Sequence, residues 1–238
     1  MRYSANEIKN ILDSNNFIVS KSILKHPECT IEHCLTDSRQ VSFMDTTLFV
    51  ALETNTGSGH KYVEELYKQG VKNFLISIWD KSYEHFDANF FLVDNTLKAL
   101  QAIAMYHRDN FIHGAELFRF PIIGVTGSNG KTIVKEWLYQ LLKDKFNCCR
   151  SPKSYNSQIG VPLSVLNLNE NHNLGIFEAG ISQTGEMERL AMIIKPKIGI
   201  ITNIGNAHNA GFKSVEEKIE EKIKLFYAAD TVICPSKY

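Results

Sequence analysis

The sequence has little that would direct the protein to a membrane, to nucleic acid or to a disulfide-stabilised fold. No apolar run approaches about 18 residues, the length that a membrane-spanning helix needs, and Met1–Glu7 lacks the apolar core of a secretion signal. The formal net charge is +0, which gives no general attraction to nucleic acid or to a lipid surface. The five cysteines have no metal-site spacing and favour reduced thiols. We therefore expect a cytoplasmic protein without nucleic-acid or integral membrane contacts.

The order of apolar and polar residues divides the chain into two domains. With 238 residues, 44% of them hydrophobic, it can bury a core in one large domain or two small ones. The first part alternates helices with strands, which are predicted at Thr47–Leu52, Val71–Ile78 and Phe90–Val93. We predict a small N-terminal α/β domain with a connecting helix over residues 1–118, and a second domain over residues 119–238.

The glycine-rich stretch Gly124–Thr132 organises the second domain. It follows the apolar strand Pro121–Ile123, and Val125 stands where the strict motif spacing would place a glycine. The helix that follows has apolar residues at helical spacing, namely Val134, Leu138, Leu141 and Leu142. A strand, a turn and a helix in this order predict a phosphate cradle at the turn.

The cradle assigns a nucleotide-binding role to each residue of the turn. Its backbone N–H groups would bind phosphate oxygens at Gly127, Ser128, Asn129 and Gly130. Lys131 would reach the β- and γ-phosphates, and the Thr132 hydroxyl would ligate Mg²⁺.

After the cradle, strands and helices alternate to the end of the chain. The strands are predicted at Asn147–Arg150, Leu174–Glu178, Lys197–Ile204 and Asp230–Cys234, and helices begin near Gln158, Gly185 and Ser214. Alternation of this kind predicts a mainly parallel, doubly wound sheet, whose ligands lie at the carboxyl ends of the strands. The chain stops directly after a strand, and we expect a truncated sheet domain.

Polar residues at these strand ends are candidates for catalysis. Glu178 ends one strand and suits a Mg²⁺ ion, although an exposed glutamate at a turn is the simpler alternative. His208 follows another strand and is either functional or structural. Asn156 and Ser157 lie in a polar loop that either holds a polar substrate or caps the next helix.

Lys222 is predicted to point inward. It lies on the stripe of Val215, Ile219 and Phe226, whereas Lys218 and Lys224 lie off this stripe. A buried ammonium needs a partner or a chemical change; the alternative is a side chain that extends to solvent.

In combination, several stretches resemble the Mur ligases, the ATP-dependent amide-forming enzymes of peptidoglycan synthesis. The stretches are Asp37–Arg39, Leu48–Leu52, the phosphate cradle, Tyr155–Ser157, Phe177–Gly180 and Thr202–Ile204. Within the family, Asn156–Pro162 and Asn203–His208 resemble the branch that adds D-alanyl-D-alanine.

The resemblance implies a reaction and a set of roles. ATP would phosphorylate the terminal carboxylate of UDP-N-acetylmuramoyl-tripeptide, and the amine of D-alanyl-D-alanine would attack the acyl phosphate. It implies catalytic roles for Lys131, Glu178, His208 and Lys222, nucleotide contact by Asn203, and Mg²⁺ binding by Thr132, Glu178, His208 and a carbamylated Lys222. It also places Asp37, Ser38 and Arg39 at the UDP end of the substrate, and Asn156 and Ser157 at its muramoyl-peptide.

Two other functions stay open at this point: a P-loop kinase or NTPase that acts on a small molecule, and a non-catalytic nucleotide-binding module. Family members carry a further domain that closes over ATP. We therefore expect these 238 residues to be the front part of a longer enzyme and to be inactive alone. The sequence leaves the oligomeric state and the third residue of the accepted peptide undetermined.

Overall fold

The computed structural model describes residues 1–15, 17, 22–40, 42–55, 57–113, 121–205, 211–212 and 214–236. The chain forms two compact units, Met1–Tyr106 and His107–Tyr238. This division falls inside a helix, before the predicted boundary near residue 118, which stays a prediction. No helix in the described ranges is long and apolar enough to cross a membrane.

The first unit is built on a four-stranded parallel sheet. Its elements are β1 (Tyr3–Ser4), α1 (Ala5–Ser14), β2 (Thr30–Ile31), β3 (His33–Leu35), β4 (Thr47–Val50), β5 (Glu53–Thr54), β6 (Gly57–Ser58), α2 (Val63–Lys68), β7 (Asn73–Ile76), β8 (Asn89–Leu92) and the part of α3 (Thr96–His113) as far as Tyr106. The sheet order is β3-β4-β7-β8, with every neighbouring pair parallel. Two antiparallel pairs, β1–β2 and β5–β6, lie outside this sheet.

Aromatic side chains form much of the core of the first unit. Phe49, Phe74 and Phe90 are fully buried. The rings of Phe74 and Phe90 stack with centroids 5.2 Å apart, and Tyr83 stacks on Phe90 at 4.9 Å. All residues of β4 and β7 are buried, which explains why the sequence shows apolar runs rather than alternation at these strands.

The second unit has a five-stranded sheet. Its elements are β9 (Ile122–Thr126), α4 (Lys131–Leu142), β10 (Cys148–Arg150), α5 (Gly160–Val165), β11 (Leu174–Glu178), α6 (Glu186–Ile194), β12 (Ile198–Ile201), α7 (Val215–Ile223) and β13 (Thr231–Ile233). The order is β10-β11-β9-β12-β13, all parallel. The predicted α/β class with mainly parallel sheets is confirmed.

Both faces of this sheet are covered. Ile123 and Val125 point to one face, where they pack with Leu138 of α4. Successive strand residues point to opposite faces, and a Cβ on Gly124 of the other face would approach the side chain of Leu225. Val125 therefore belongs to the strand core, and the turn begins only after β9.

The exposed face of α4 has apolar residues. Leu141, one of the apolar residues at helical spacing, is 76% exposed. It lies four residues beyond Trp137, which in turn lies four beyond Ile133, and these three form an exposed stripe. Lys135 of the same helix, in contrast, is fully buried.

The cysteines are free thiols, as expected from the composition. Of the adjacent pair in the strand that follows α4, Cys149 is buried and Cys148 is only partly buried. Burial raises the pKa of Cys149 to about 12, so this thiol is unreactive near neutral pH.

His107 makes the stability of the second unit depend on pH. The side chain is buried, and its Nε2–H donates to Leu168 O at 2.9 Å. Burial lowers the pKa of His107 from 6.5 to about 4, because the charged ring would lose its hydration. The unfolded chain therefore binds more protons between these two pH values. The stability that is present above pH 6.5 falls by about 3 kcal/mol as the pH drops through this window.

We expect His107→Gln, which keeps a donor for Leu168 O, to remove this loss. Urea unfolding at about pH 7 and about pH 4.5 compares the variant with the wild type at each pH. His85→Gln, at an exposed position of the first unit, is the control. The prediction is contradicted if the wild type and the variant differ by the same free energy of unfolding at both pH values.

Candidate functional site

Residues 127–130, hereafter the phosphate loop, form the turn between β9 and α4. Gly127 has φ of 146° and Gly130 has φ of 78°, a region that favours glycine. A Cβ on Gly127 would also collide with the Thr202 hydroxyl. The turn ends at the N-terminus of the 12-residue helix α4, whose dipole favours an anion there. This geometry supports the predicted phosphate cradle.

The segment after β12 braces the phosphate loop. Asn203 O accepts from Ser128 N at 2.8 Å, and Asn203 Oδ1 accepts from Asn129 N at 2.9 Å. Ser128 Oγ donates to Gly205 O at 3.1 Å and accepts from Gly205 N at 2.9 Å. The strand predicted as far as Ile204 is therefore too long, because the backbone beyond Thr202 bonds to the loop instead of continuing the sheet.

Two lysines converge on one carbonyl of the phosphate loop. Lys131 Nζ donates to Gly127 O at 2.9 Å, and Lys222 Nζ donates to the same oxygen at 3.3 Å. Burial, with smaller effects of Lys131 and Lys218, lowers the pKa of Lys222 to about 8. Burial also lowers the pKa of Lys131, against an opposing effect of Glu178. The two ammonium groups repel each other when both are charged, and a bound anion would offset this repulsion.

The inward position of Lys222 is confirmed, but the reason predicted for it is wrong. Val215 is 45% exposed, whereas Lys218 is 1% and Lys222 is 2% exposed. The buried stripe of α7 therefore includes both lysines, and Lys218 does not lie off it. Lys218 Nζ donates to Gly205 O at 2.6 Å, on the segment that braces the phosphate loop.

The same stripe contains Glu221, which fixes the start of α6. Glu221 is 1% exposed, and its Oε1 accepts from Gly185 N at 2.9 Å and from Met187 N at 3.0 Å. A carboxylate at a helix N-terminus satisfies free N–H groups and interacts favourably with the dipole. The buried charges of α7 thus serve both the phosphate loop and the neighbouring helix.

Glu178 ends β11 and is fully buried, so the alternative of an exposed turn glutamate is wrong. Neither carboxylate oxygen has a hydrogen bond of good geometry among the described residues. Burial raises the pKa of Glu178, and nearby Thr132, Lys135 and Lys131 oppose this shift. A buried carboxylate whose hydrogen bonds are this poorly formed favours a bound cation.

The donor set around Glu178 fits Mg²⁺. In the described ranges, no three His, Cys, Asp or Glu side chains converge as a preformed metal site. Mg²⁺ does not need one, since it binds one or two carboxylates together with phosphates and waters. Thr132 Oγ1 lies 3.2 Å from Ser154 Oγ at the start of α4. His208, the other predicted ligand, lies outside the described residues.

Asn156 and Ser157 lie beside the end of β11. Asn156 O accepts from Gly180 N at 2.8 Å, two residues beyond Glu178. Ser157 Oγ accepts from Gly160 N at 3.1 Å, so this hydroxyl caps the start of α5. The helix-capping alternative is thus confirmed for Ser157, and its substrate contact stays a prediction.

The candidate substrate residues of the first unit form a turn after β3. Ser38–Gln40 is a 3₁₀ turn. Asp37 accepts two hydrogen bonds from the Arg39 guanidinium, each 2.9 Å long. These bonds lower the pKa of Asp37 to about 2. The ion pair presents an exposed Arg39 at the carboxyl edge of a parallel sheet, where ligands of α/β folds bind.

Sequence reasoning missed Lys135 and Lys218. Lys135 lies on one helical stripe with Leu138 and Leu142, which is the pattern that singled out Lys222. Lys218 lies four residues before Lys222 and shares its stripe. Applying the same rule to α4 would have found Lys135, whereas the stripe drawn through Val215 and Ile219 left Lys218 out.

The second unit is a P-loop α/β fold: a phosphate cradle at the carboxyl edge of a parallel sheet, with a buried carboxylate at the next strand end. Residues 125–235 match the Mur ligase middle domain. The chain belongs to the Mur ligase family. It is 35% identical over 227 residues to the UDP-N-acetylmuramoyl-tripeptide--D-alanyl-D-alanine ligase of Borreliella burgdorferi, covering 92% of this chain and 47% of that ligase.

Two solved structures have a similar fold. The fold matches MurF from Acinetobacter baumannii with a TM-score of 0.83 at 23% identity, over 99% of this chain and 49% of that one. MurF ligase from Thermotoga maritima, solved in complex with ADP, matches with a TM-score of 0.72 at 27% identity, over 85% and 45% of the two chains. The chain thus spans about half the length of the curated relatives it matches.

Proposed function

We propose that this chain is part of an ATP-dependent ligase that joins D-alanyl-D-alanine to UDP-N-acetylmuramoyl-tripeptide. The observation that carries the proposal is the cationic phosphate loop beside the buried Glu178 carboxylate, in a chain 35% identical to a ligase of that activity. The Thermotoga maritima relative was solved in complex with ADP, which supports nucleotide binding by this chain.

A carboxylate is a poor electrophile, and phosphorylation by ATP gives it a leaving group. The amine of D-alanyl-D-alanine then attacks the acyl phosphate, an amide forms, and phosphate leaves. The protein mainly has to hold several anions together and compensate their charge. The Lys131 ammonium and the N–H groups of Gly127 and Gly130 bind the ATP phosphates, whereas Ser128 N and Asn129 N donate to Asn203. Asp37–Arg39 receives the UDP end of the other substrate, and Asn156 and Ser157 receive its muramoyl-peptide.

Glu178 and Thr132 would hold Mg²⁺, with His208 and Lys222 serving a second ion. When bound, Mg²⁺ compensates charge that develops on the transferred phosphoryl group. Lys222 is suited to carbamylation, in which the neutral amine adds to CO₂ and loses a proton. Its pKa of about 8 leaves part of the amine neutral near pH 7. The resulting anion would relieve the repulsion from Lys131 at Gly127 O.

Calorimetric titration of this chain with UDP-N-acetylmuramoyl-tripeptide tests the proposal, with UDP-glucose as the control. Saturable binding that is selective for the tripeptide supports the ligase. Binding of Mg·ATP without binding of the tripeptide would instead favour the small-molecule kinase or NTPase. Mg·ATP binding that persists unchanged without Glu178 and Lys222 would favour a non-catalytic module. The cytoplasmic location stays a prediction.

A further inference from the structure

Lys135 is a fully buried cation on the inner face of α4. Its side chain has 0% exposure. Lysines are almost never buried to this extent unless they are paired. The position lies one turn after Lys131, at the part of α4 closest to the phosphate loop. Because burying an ammonium is costly, we expect Lys135 to make hydrogen bonds that a leucine at the same position could not make.

The acceptors of this ammonium lie mainly in one loop. Lys135 Nζ donates to Ser151 O at 2.7 Å and to Lys153 O, and it lies 3.1 Å from Glu136 Oε1. Lys153 has φ of 47°, a conformation that is unfavourable for a residue with a Cβ. The ammonium therefore binds the loop after β10 where its backbone is least favourable.

We call residues 151–157 the substrate loop. Besides its bonds to Lys135, this loop has contacts with the end of β11 and with the start of α4. Ser151 Oγ accepts from Glu178 N at 3.2 Å, and Ser154 Oγ lies 3.2 Å from Thr132 Oγ1. Asn156 O accepts from Gly180 N at 2.8 Å. The loop thus joins the start of α4 to the end of β11.

We propose that Lys135 is a positioning residue for the muramoyl-peptide: its ammonium fixes the substrate loop so that Asn156 and Ser157 are presented beside Glu178. The identity of the ligand rests on the proposed function, whereas the fixing of the loop rests on the contacts of Lys135 alone. Only a cation or another multiple donor can satisfy the Ser151 and Lys153 carbonyls together. A methionine at 135 would leave both without this donor.

The test compares Lys135→Met with Leu138→Ala. The second variant removes packing from the same helix face and leaves every contact of the substrate loop in place. Lys145→Met, at an exposed position, controls for loss of a positive charge. Two properties are measured for each variant. The first is hydrogen exchange at the Gly180 amide and at the Tyr155 amide, which donates to Pro152 O at 3.1 Å. The second is affinity for UDP-N-acetylmuramoyl-tripeptide and for ADP without Mg²⁺.

For Lys135→Met we expect exchange at both amides to rise about tenfold and tripeptide affinity to fall about tenfold. The affinity for ADP should stay within about twofold, because residues 203–205 and not the substrate loop hold the phosphate loop. Leu138→Ala should change stability but neither the two exchange rates nor tripeptide affinity.

Equal behaviour of Lys135→Met and Leu138→Ala would overturn the inference, since it would mean that Lys135 only stabilises the fold. Unchanged exchange at Tyr155 and Gly180 in Lys135→Met would overturn it as well. If the wild type does not bind the tripeptide, the proposed function fails. The exchange rates then decide by themselves whether Lys135 fixes the substrate loop.

Discussion

Replacing Lys222 by methionine is expected to stabilise the chain in the absence of ligands, by about 3 kcal/mol near pH 7. The pKa of Lys222 is about 8 in the folded chain against 10.5 for an ordinary lysine, chiefly because of burial. The unfolded chain therefore binds more protons between these pH values, and wild-type stability rises with pH across this window. Methionine removes both the penalty and the pH dependence. Urea unfolding at about pH 7 and about pH 10 measures them.

The same position should be essential for ligation. In an assay of the whole enzyme, Lys222→Ala is expected to lose about 100-fold or more in rate, because the carbamate is no longer available. Small carboxylic acids should restore part of the rate by supplying the missing carboxylate. Lys145→Met, an exposed replacement, should change neither stability nor rate. If the Lys222→Met chain is less stable than the wild type at pH 7, the buried Lys222 ammonium does not destabilise the folded chain, and the prediction is wrong.

Glu178→Gln is expected to have opposite effects on stability and on Mg²⁺-dependent binding. Without ligands, the variant should be more stable by about 1–2 kcal/mol near pH 7, because a buried carboxylate that has no hydrogen bond of good geometry among the described residues has been replaced by a neutral amide. Burial raises the pKa of Glu178, so the wild type loses stability as pH rises above 4.5 through the folded pKa. The variant should lack this loss.

The cost of Glu178→Gln appears when nucleotide binds. The gain in ATP affinity on adding Mg²⁺ should shrink by at least about tenfold, because a metal ligand has been removed. Calorimetric titrations with ATP, with and without EDTA, measure this gain. Glu170→Gln, an exposed replacement, is the control. If the variant keeps the full Mg²⁺ effect, Glu178 is not a metal ligand, and the mechanism proposed above loses its metal site.

The sequence by itself determined which segments form the sheet of the second unit and where its phosphate loop lies. Leu174–Glu178 was predicted with the bounds that the structure shows. Fully buried parallel strands need continuous apolar residues, and a phosphate loop needs glycine at fixed offsets, so both leave local signals. The starts of α6 and α7 could be predicted as well, because a helix cap depends on one or two residues at the start of the helix.

Only the tertiary structure decided what the buried charges contact. Helical spacing indicated that Lys222 points inward, but not that it shares Gly127 O with Lys131. It gave no sign that residues 203–205 leave the sheet to brace the phosphate loop, or that Lys135 reaches Ser151 and Lys153. The periodicity of apolar residues in the sequence indicates which face of a helix or strand is buried. The acceptors of a buried ammonium come from segments far away along the chain, and only packing brings them within hydrogen-bonding distance.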